Sequence, residues 1–290
     1  MQVVTTATEL KAALLEKAGL AGLRVLVPTM GALHRGHLEL VKQARAAAGP
    51  GGTVVVSIFV NPIQFDRSAD LEAYPRPLDN DLAQCRSAGV DVVFAPDAAA
   101  MYGADRSVTV HESLLSRRLC GAARPGHFDG VCTVVLKLLL LSGCHAAVFG
   151  DKDFQQLAII RRMVRDLDVP VEILACPTVR EPDGLALSSR NARLTAAQRS
   201  DAPQIHRALT NAARQTAVAA ILAAARTEIE SSPLARIDYL ELVDALTLQP
   251  TNDLERPAVL AAAVFYGDVR LIDHVAILPD AGAAPTTLNP

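Results

Sequence analysis

Two histidines three residues apart, His34 and His37, bracket Arg35 and Gly36 directly after an uncharged stretch, Pro28-Thr29-Met30-Gly31-Ala32-Leu33. At the start of a helix that spacing puts both imidazoles on one face. An imidazole there can hydrogen-bond a phosphate oxygen and take up charge as negative charge develops. The helix start itself is expected to offer free N–H groups and a partial positive charge to an anion. Gly31 and Gly36 leave room for close approach of backbone to ligand. The same pattern also suits a plain helix start with two surface histidines. A metal site is a further reading, but no third ligand stands at a suitable spacing.

Two more groups of residues have chemical potential. Gly150-Asp151-Lys152-Asp153-Phe154-Gln155-Gln156 follows an apolar run. Lys152 is a mobile cation suited to phosphate. Asp151 and Asp153 suit a Mg²⁺ ion that takes its other ligands from phosphate and water. The competing reading is a solvated helix start capped by Asp153. Leu187-Ser188-Ser189-Arg190-Asn191, after Asp183-Gly184, offers two hydroxyls and a guanidinium on a loop that could close over a triphosphate. It also reads as a polar turn into a helix capped by Thr195. Gln64, in Asn61-Pro62-Ile63-Gln64-Phe65, could bond a hydroxyl or a carboxylate. Arg124-Pro125-Gly126-His127-Phe128 reads equally as a binding loop or a surface turn. A Walker A sequence and GxGxxG are both absent, and Ser188 and Ser189 lack the GxSxG setting of a serine hydrolase.

The elements that must carry these residues follow from periodicity. Residues 5–18 repeat apolar positions at helical spacing. Arg24 to Val27 reads as a short buried strand ended by Pro28 and Gly31, with a helix at 35–47. Thr53 to Val60 is a second β-branched run, too apolar to be half exposed. Helix at Leu82–Ala88, strand at Val90–Phe94, helix at Val131–Leu141, strand at Ala146–Phe149, helix at Phe154–Asp166 and strand at Val171–Leu174 continue the alternation. Buried strands alternating with helices predict an α/β, Rossmann-like doubly wound parallel sheet of about five strands over residues 1–178. In such a sheet ligands bind beyond the carboxyl ends of the strands, where the His34, Gln64 and Asp151 segments fall. Residues 179–290 differ in texture. Alanine-rich helices between about 195 and 230 precede strands at Ile237–Val243, Val259–Phe265 and Arg270–Ala276, which predicts a smaller C-terminal α+β domain. The tail, 279–290, reads as frayed.

Bulk properties narrow the partners. Of 290 residues, half are hydrophobic and a fifth charged, and the net charge is -3, which describes a globular chain. That balance gives no support for a nucleic-acid or membrane-surface protein. Val131–Leu141 contains Lys137 and is too short to span a bilayer. No basic region leads into an apolar run at the N-terminus, so no signal peptide is expected. The five cysteines, Cys85, Cys120, Cys132, Cys144 and Cys176, form no CxxC and are odd in number. They read as reduced thiols of a cytoplasmic protein, without a disulfide framework or a zinc site.

Six motifs occur in order: PTMGALHRGH, FVNPIQF, YPRPLDND, RPGHFDGV, FGDKDFQQ and DGLALSSRN. Together they resemble the pantoate–β-alanine ligase (pantothenate synthetase) family, strongly over about residues 20–200. HxGH alone is shared with many nucleotidyltransferases and class I aminoacyl-tRNA synthetases; the set of six is specific. The resemblance implies a Rossmann-like domain, a C-terminal lid domain, a homodimer, and a place in pantothenate and coenzyme A biosynthesis. It implies that ATP, with Mg²⁺, activates (R)-pantoate as pantoyl adenylate, releasing pyrophosphate, and that β-alanine then takes the pantoyl group to give pantothenate and AMP. It further implies that Met30, Gly31, Ala32, Leu33, His34, Arg35, Gly36 and His37 lie along ATP, with His37 the proton donor or phosphate stabiliser. Gly150, Asp151, Lys152 and Asp153 contact ATP, with Lys152 on the phosphates, and Val179 packs by the adenine. Leu187, Ser188, Ser189 and Arg190 form the loop that synthetases carry as KMSKS, with Arg190 supplying a cation. Gln64 and Gln156 hold pantoate, and Gln64 also neighbours β-alanine.

Two positions depart from the family pattern. Arg35 stands where an acidic residue is frequent and is expected to point outward. Asp151 stands where Glu is usual, one methylene shorter, which bears on metal affinity. Two other functions fit parts of the sequence. A nucleotidyltransferase would keep the nucleotidyl group in its product, so AMP as product excludes it. A non-catalytic nucleotide-binding or dimer-forming protein would show no turnover.

Overall fold

The computed structural model describes residues 1–17 and 22–279. It divides into two compact units. The first comprises Met1–Ser113, Arg124–Asp151 and Ile159–Pro177. The second comprises Leu114–Ala123, Lys152–Ala158 and the chain from Thr178. The main boundary therefore falls at 177/178, and two short excursions from the earlier sequence also join the second unit. The expected frayed tail, beyond Pro279, and the end of the expected helix at Ala18 lie outside the described residues.

The first unit is built on six parallel strands. In chain order these are β1 (Gln2–Val4), β2 (Arg24–Thr29), β3 (Thr53–Ile58), β4 (Val92–Phe94), β5 (Ala146–Gly150) and β6 (Glu172–Cys176). Among them run α1 (Ala7–Leu15), α2 (Arg35–Ala48), α3 (Ser68–Glu72), α4 (Leu78–Ser87) and α5 (Ala98–Met101). After α6 (Leu119–Ala123), which belongs to the second unit, come α7 (His127–Ser142) and α8 (Phe154–Asp166). The sheet order is β1-β4-β3-β2-β5-β6. The chain winds outward from β2 through β3 to β4, then returns to place β5 on the other side of β2. That reversal leaves a crevice beyond the carboxyl ends of β2 and β5.

Apolar alternation explains why these strands sit between helices. Val25, Val27, Val54, Val56 and Val148 point to one face and pack with Leu40, Val41, Ala44 and Ala48 of α2 in one buried cluster. Leu26, Val55 and Ala147, the intervening residues, are equally buried on the opposite face. Each fully buried valine or leucine contributes about 1.5–3 kcal/mol, which ties the start of α2 firmly to the end of β2.

Several boundaries differ from the periodicity reading. The sheet has six strands, because the three-residue β1 is too short to show a pattern. Strand β2 passes through Pro28 to Thr29. Proline is tolerated there because β5 pairs with β2 only at Val25 and Leu26, so no ladder partner awaits its missing N–H. Helix α4 begins at Leu78, four residues earlier than expected, and α7 begins at His127 behind a left-handed Gly126 (φ 77°). The short helices α3, α5 and α6 span four or five residues each, too few for a helical repeat to register.

The second unit carries α9 (Ala196–Asp201), α10 (Gln204–Ala212), α11 (Val218–Glu230) and an antiparallel sheet β7 (Ala235–Asp244), β8 (Ala258–Tyr266), β9 (Val269–Ile277). Its core joins Ile205, Ala208 and Leu209 of α10 and Ile221, Ala225 and Ile229 of α11 to Leu242, Leu260, Ala262 and Val264 of the sheet. Alanine side chains on both helices let them approach closely. Within this unit Gln155 ties α6 in place: its amide oxygen accepts the Cys120 N–H at 2.9 Å, and its nitrogen donates to the carbonyls of Leu115 and Arg118.

The five cysteines are all free thiols, as expected. Burial pushes the Cys85 thiol up to about 11 and the Cys132 thiol up to about 12, so both stay protonated at neutral pH. Among the described residues no helix is long and apolar enough to cross a membrane.

Candidate active site

The carboxyl end of β2 turns sharply into α2, and the turn is unusual in its backbone. Gly31 (φ 80°) and Ala32 (φ 50°) both lie in the left-handed region. For alanine that conformation costs about 1 kcal/mol or more. Asp81 of α4, fully buried, offsets the cost. One carboxylate oxygen accepts the Ala32 N–H at 2.8 Å and the other accepts the Leu33 N–H at 2.7 Å. The Gly31 N–H donates to Thr29 Oγ1 at 3.1 Å, whose hydroxyl donates to the Ser57 carbonyl. A Cβ on Gly31 would stand 2.9 Å from the Asp81 carboxylate, so glycine is required by space as well as by φ.

The two histidines cap α2 reciprocally. His34 is the N-cap, and its Nδ1 accepts the Gly36 N–H at 3.1 Å. His37, three residues on, accepts the His34 N–H on its own Nδ1 at 3.3 Å. The ring centroids lie 4.1 Å apart. With both Nδ1 atoms accepting, each neutral ring carries its proton on Nε2. The bonds at Nδ1 therefore fix the orientation of both rings and of their Nε2–H groups. The expectation that this helix start offers free backbone N–H groups is narrowed, because most of them are already used. The N–H groups of Gly31, Ala32, Leu33, His34 and Gly36 have internal acceptors, and His37 N–H bonds the His34 carbonyl. Arg35, between the histidines, is exposed.

Gln64 is brought to the same place. It sits in a single 3₁₀ turn after β3 and is 7% exposed. Asn61 donates to its amide oxygen at 3.0 Å, and its amide nitrogen approaches Met30 Sδ at 3.2 Å. Asn61 also donates to the Gly130 carbonyl and accepts the Tyr102 hydroxyl at 2.7 Å. The amide of Gln64 is thus oriented by a buried chain, oxygen toward Asn61 and N–H toward the β2 turn. Its main-chain carbonyl accepts from His127 Nδ1 at 2.8 Å and from Arg124. His127 and Arg124 buttress Gln64 instead of forming an exposed loop. Gly130 of α7 allows this approach, since a Cβ there would lie 2.5 Å from the Ile63 carbonyl. Burial is the largest single influence on the Asp66 carboxylate and works against it, but its hydrogen bonds and the charges of Arg124 and Arg67 together hold its carboxyl below the usual range.

Beyond β5, Gly150 leads into the 3₁₀ turn Asp151–Asp153 and then α8. Within the first unit, burial draws the Arg161 guanidinium below its usual value and Asp151 opposes that shift, which makes Asp151 a charge partner of α8. Of the two adjacent glutamines, Gln155 is consumed by the α6 backbone, whereas Gln156 makes no side-chain hydrogen bond to any described residue. Among the described residues no group of three or more His, Cys, Asp or Glu is placed to hold a metal ion.

In the second unit, Val179 and Leu187 are joined by a backbone bond of 2.9 Å that closes a small hairpin around Gly184. The hairpin is anchored by Arg180, which grips the buried Asp273 through two bonds of 2.7 and 2.9 Å. Ser188 caps the 3₁₀ turn Ser189–Arg193 by accepting the Arg190 N–H. The Arg190 guanidinium and the Ser189 hydroxyl bond no described residue. Thr195 caps α9, as its position suggested.

Comparison with known proteins bears on what this arrangement serves. The family model described as pantoate–beta-alanine ligase matches residues 2–276. A pantothenate synthetase of Akkermansia muciniphila is 54% identical over 279 residues, covering 95% of this chain and 99% of the relative. The crystal structure of pantothenate synthetase from Thermus thermophilus is similar at a TM-score of 0.87 and 43% identity, covering 96% of this chain and 100% of that one. A pantoate–beta-alanine ligase from Francisella tularensis, solved with beta-gamma ATP and beta-alanine, is similar at a TM-score of 0.78 and 32% identity, covering 95% and 97% of the two chains. The motifs, the strand order around the β2 turn and these likenesses agree, and the chain belongs to the pantoate–beta-alanine ligase family.

Proposed function

We propose that this ligase condenses pantoate with β-alanine in two steps. In the first, the pantoate carboxylate attacks the α-phosphorus of ATP, the bond to the bridging oxygen breaks, and pyrophosphate leaves. In the second, the β-alanine amine attacks the acyl carbon, loses a proton, and AMP departs. The observation that carries the reading is the reciprocally capped histidine pair, which aims two Nε2–H donors while its own backbone donors are already used.

Joining two anions requires donors that follow developing charge. His34 and His37 are assigned to the phosphates, with Lys152 and Arg190 as mobile cations. The remaining ATP contacts are assigned to Met30–Gly36, Gly150, Asp151, Asp153, Val179 and Leu187–Ser189. Gln64 is assigned to pantoate, with Gln156, and to β-alanine. Its Asn61-held orientation supports that role, because an amide of fixed polarity can choose a hydroxyl or carboxylate without adding charge. Mg²⁺ would be held through the ATP phosphates, with Asp151 or Asp153 as a hard oxygen donor, and would supply neutralisation of the phosphate charge. Such a carboxylate suits an ion that keeps water and phosphate ligands. A homodimer in the cytoplasm is part of the same reading, supported by the family resemblance.

The test is ATP–pyrophosphate exchange. Exchange that requires pantoate but not β-alanine is expected. Exchange without pantoate, or none with it, contradicts the adenylate route.

A further inference from the structure

The buried carboxylate of Asp81 has no place in the roles assigned above, yet it accepts two successive N–H groups of the turn that delivers His34 and His37. A buried negative charge beside a site for a polyanion is unfavourable unless it performs a compensating task. Here the task is visible. Asp81 approaches from α4, a helix 49 positions downstream of Ala32, and its two oxygens hold the Ala32 and Leu33 N–H groups at 2.8 and 2.7 Å. Those bonds fix Gly31 and Ala32 in the left-handed conformation that reverses the chain. The next residue after Leu33 is the N-cap, and its ring and that of His37 are locked to the same short backbone segment. The helix is in turn packed on the sheet through Leu40, Val41 and Ala44. The turn therefore has one free variable, the path from Thr29 to His34, and Asp81 sets it.

We propose that Asp81 is a positioning residue for adenylation: it holds the Gly31–Ala32 turn and thereby sets the placement of the His34 and His37 Nε2–H donors against the phosphates of ATP. The role depends on two acceptor oxygens and not on charge alone. Asparagine would offer one oxygen to one N–H and turn its own NH₂ toward the other, two donors facing each other. Relief of charge repulsion with ATP would act the other way, so the sign of the D81N effect separates positioning from simple electrostatics. The inference rests on the adenylation reading above.

The experiment compares wild-type protein with Asp81→Asn in pantoate-dependent ATP–pyrophosphate exchange, with thermal melting and ¹⁵N spectra of the histidine rings alongside. Asp79→Asn, an exposed change on the same helix, is the control and is expected to match wild type. For Asp81→Asn we expect a fall in exchange kcat of about 10-fold or more, as for a misplaced preorganised donor. The pantoate KM is expected to stay within about 2-fold, since Gln64 is held by Asn61 at its amide oxygen and by His127 and Arg124 at its main chain, and meets the turn only through the weak contact to Met30 Sδ. The ring-nitrogen signals of His34 and His37 are expected to move. Wild-type kcat in the variant, a faster rate, or an equal loss in pantoate affinity overturns the proposal. If Asp81→Asn does not fold, Asp81→Glu, which keeps both oxygens and the charge but displaces them by one methylene, tests placement with charge held constant: a fall in exchange kcat with little change in pantoate KM is expected, and wild-type kcat overturns the proposal. Failure of both variants to fold assigns Asp81 to stability alone and overturns the proposal. Absence of exchange in the wild-type protein instead sinks the adenylation reading itself.

Discussion

His34 and His37 each use Nδ1 to accept a backbone N–H of the other's segment, Gly36 N–H to His34 and His34 N–H to His37, with their rings 4.1 Å apart. One arrangement caps the helix, selects the tautomer and aims both Nε2–H groups. The structural role and the proposed chemical role are therefore joined in the same rings, and substitutions can separate them.

His34→Ala is expected to lower stability by about 1 kcal/mol, the usual worth of an N-cap, and to slow adenylation by about 10²-fold. His34→Ser restores a capping oxygen but has no Nε2–H. Urea denaturation should return to near wild type while single-turnover adenylation stays slow. Recovery of both, or of neither, contradicts the division of roles.

His37→Ala and Lys152→Ala are each expected to slow adenylation by about 10² or more, the scale of one preorganised charge stabiliser. The measurement is pyrophosphate release in a single turnover at saturating ATP and pantoate. A wild-type rate removes the substituted residue from the chemistry.

Gln64→Ala is expected to raise the pantoate KM about 10-fold, the loss of one well-placed hydrogen bond, with ATP affinity little changed. Asn61→Ala should produce a smaller shift in the same direction, because it leaves the Gln64 amide present but unoriented. Titration of pantoate at fixed ATP distinguishes these outcomes, and an unchanged KM in Gln64→Ala contradicts its assignment.

Asp273→Ala leaves Arg180 without the bidentate partner that anchors the 179–187 hairpin. Loss of one member of such a largely buried pair is expected to cost about 3 kcal/mol of stability. The denaturation midpoint should fall accordingly. A change below about 0.5 kcal/mol, the scale of an exposed pair, would show that the hairpin is held by other contacts.

His206 provides a pH test. Burial lowers its pKa first, nearby Arg180 and His274 add to that, and Asp273 partly opposes it. The folded value lies below the ordinary 6.5, so between the two the unfolded chain binds more protons than the native one. This group's contribution is therefore present above about pH 6.5 and declines as pH falls toward the folded value. In His206→Gln the acid limb of the stability curve should be shallower in that window. An identical limb in both proteins contradicts the assignment.

How much of this is legible in the primary sequence varies with the range of the interaction. The Arg24–Val27 and Thr53–Val60 runs announce buried parallel strands because they are dominated by β-branched and other apolar residues, and the helix after Leu33 is marked by its periodicity. Strand β1 is not legible, since three residues show no period. Pro28 reads as a stop because proline lacks a donor; whether that matters depends on a neighbour strand whose pairing ends two residues earlier. Gln155 and Gln156 look alike in sequence, and one is consumed by the α6 backbone while the other makes no such bond.

The order and chemistry of the motifs were enough to identify a pantoate–beta-alanine ligase and to single out His34, His37, Gln64 and Lys152, because family membership and residue type are properties of the linear chain. Only the tertiary structure decided which hydrogen-bonding groups are still available for a ligand. The turn and helix start expected to present backbone N–H groups have used those of Gly31, Ala32, Leu33, His34 and Gly36 on Thr29, Asp81 and the two imidazoles. The physical reason is that each buried donor takes the nearest acceptor in space. Ala32 and Asp81 stand 49 positions apart in the chain, and nothing local in either segment records that they meet.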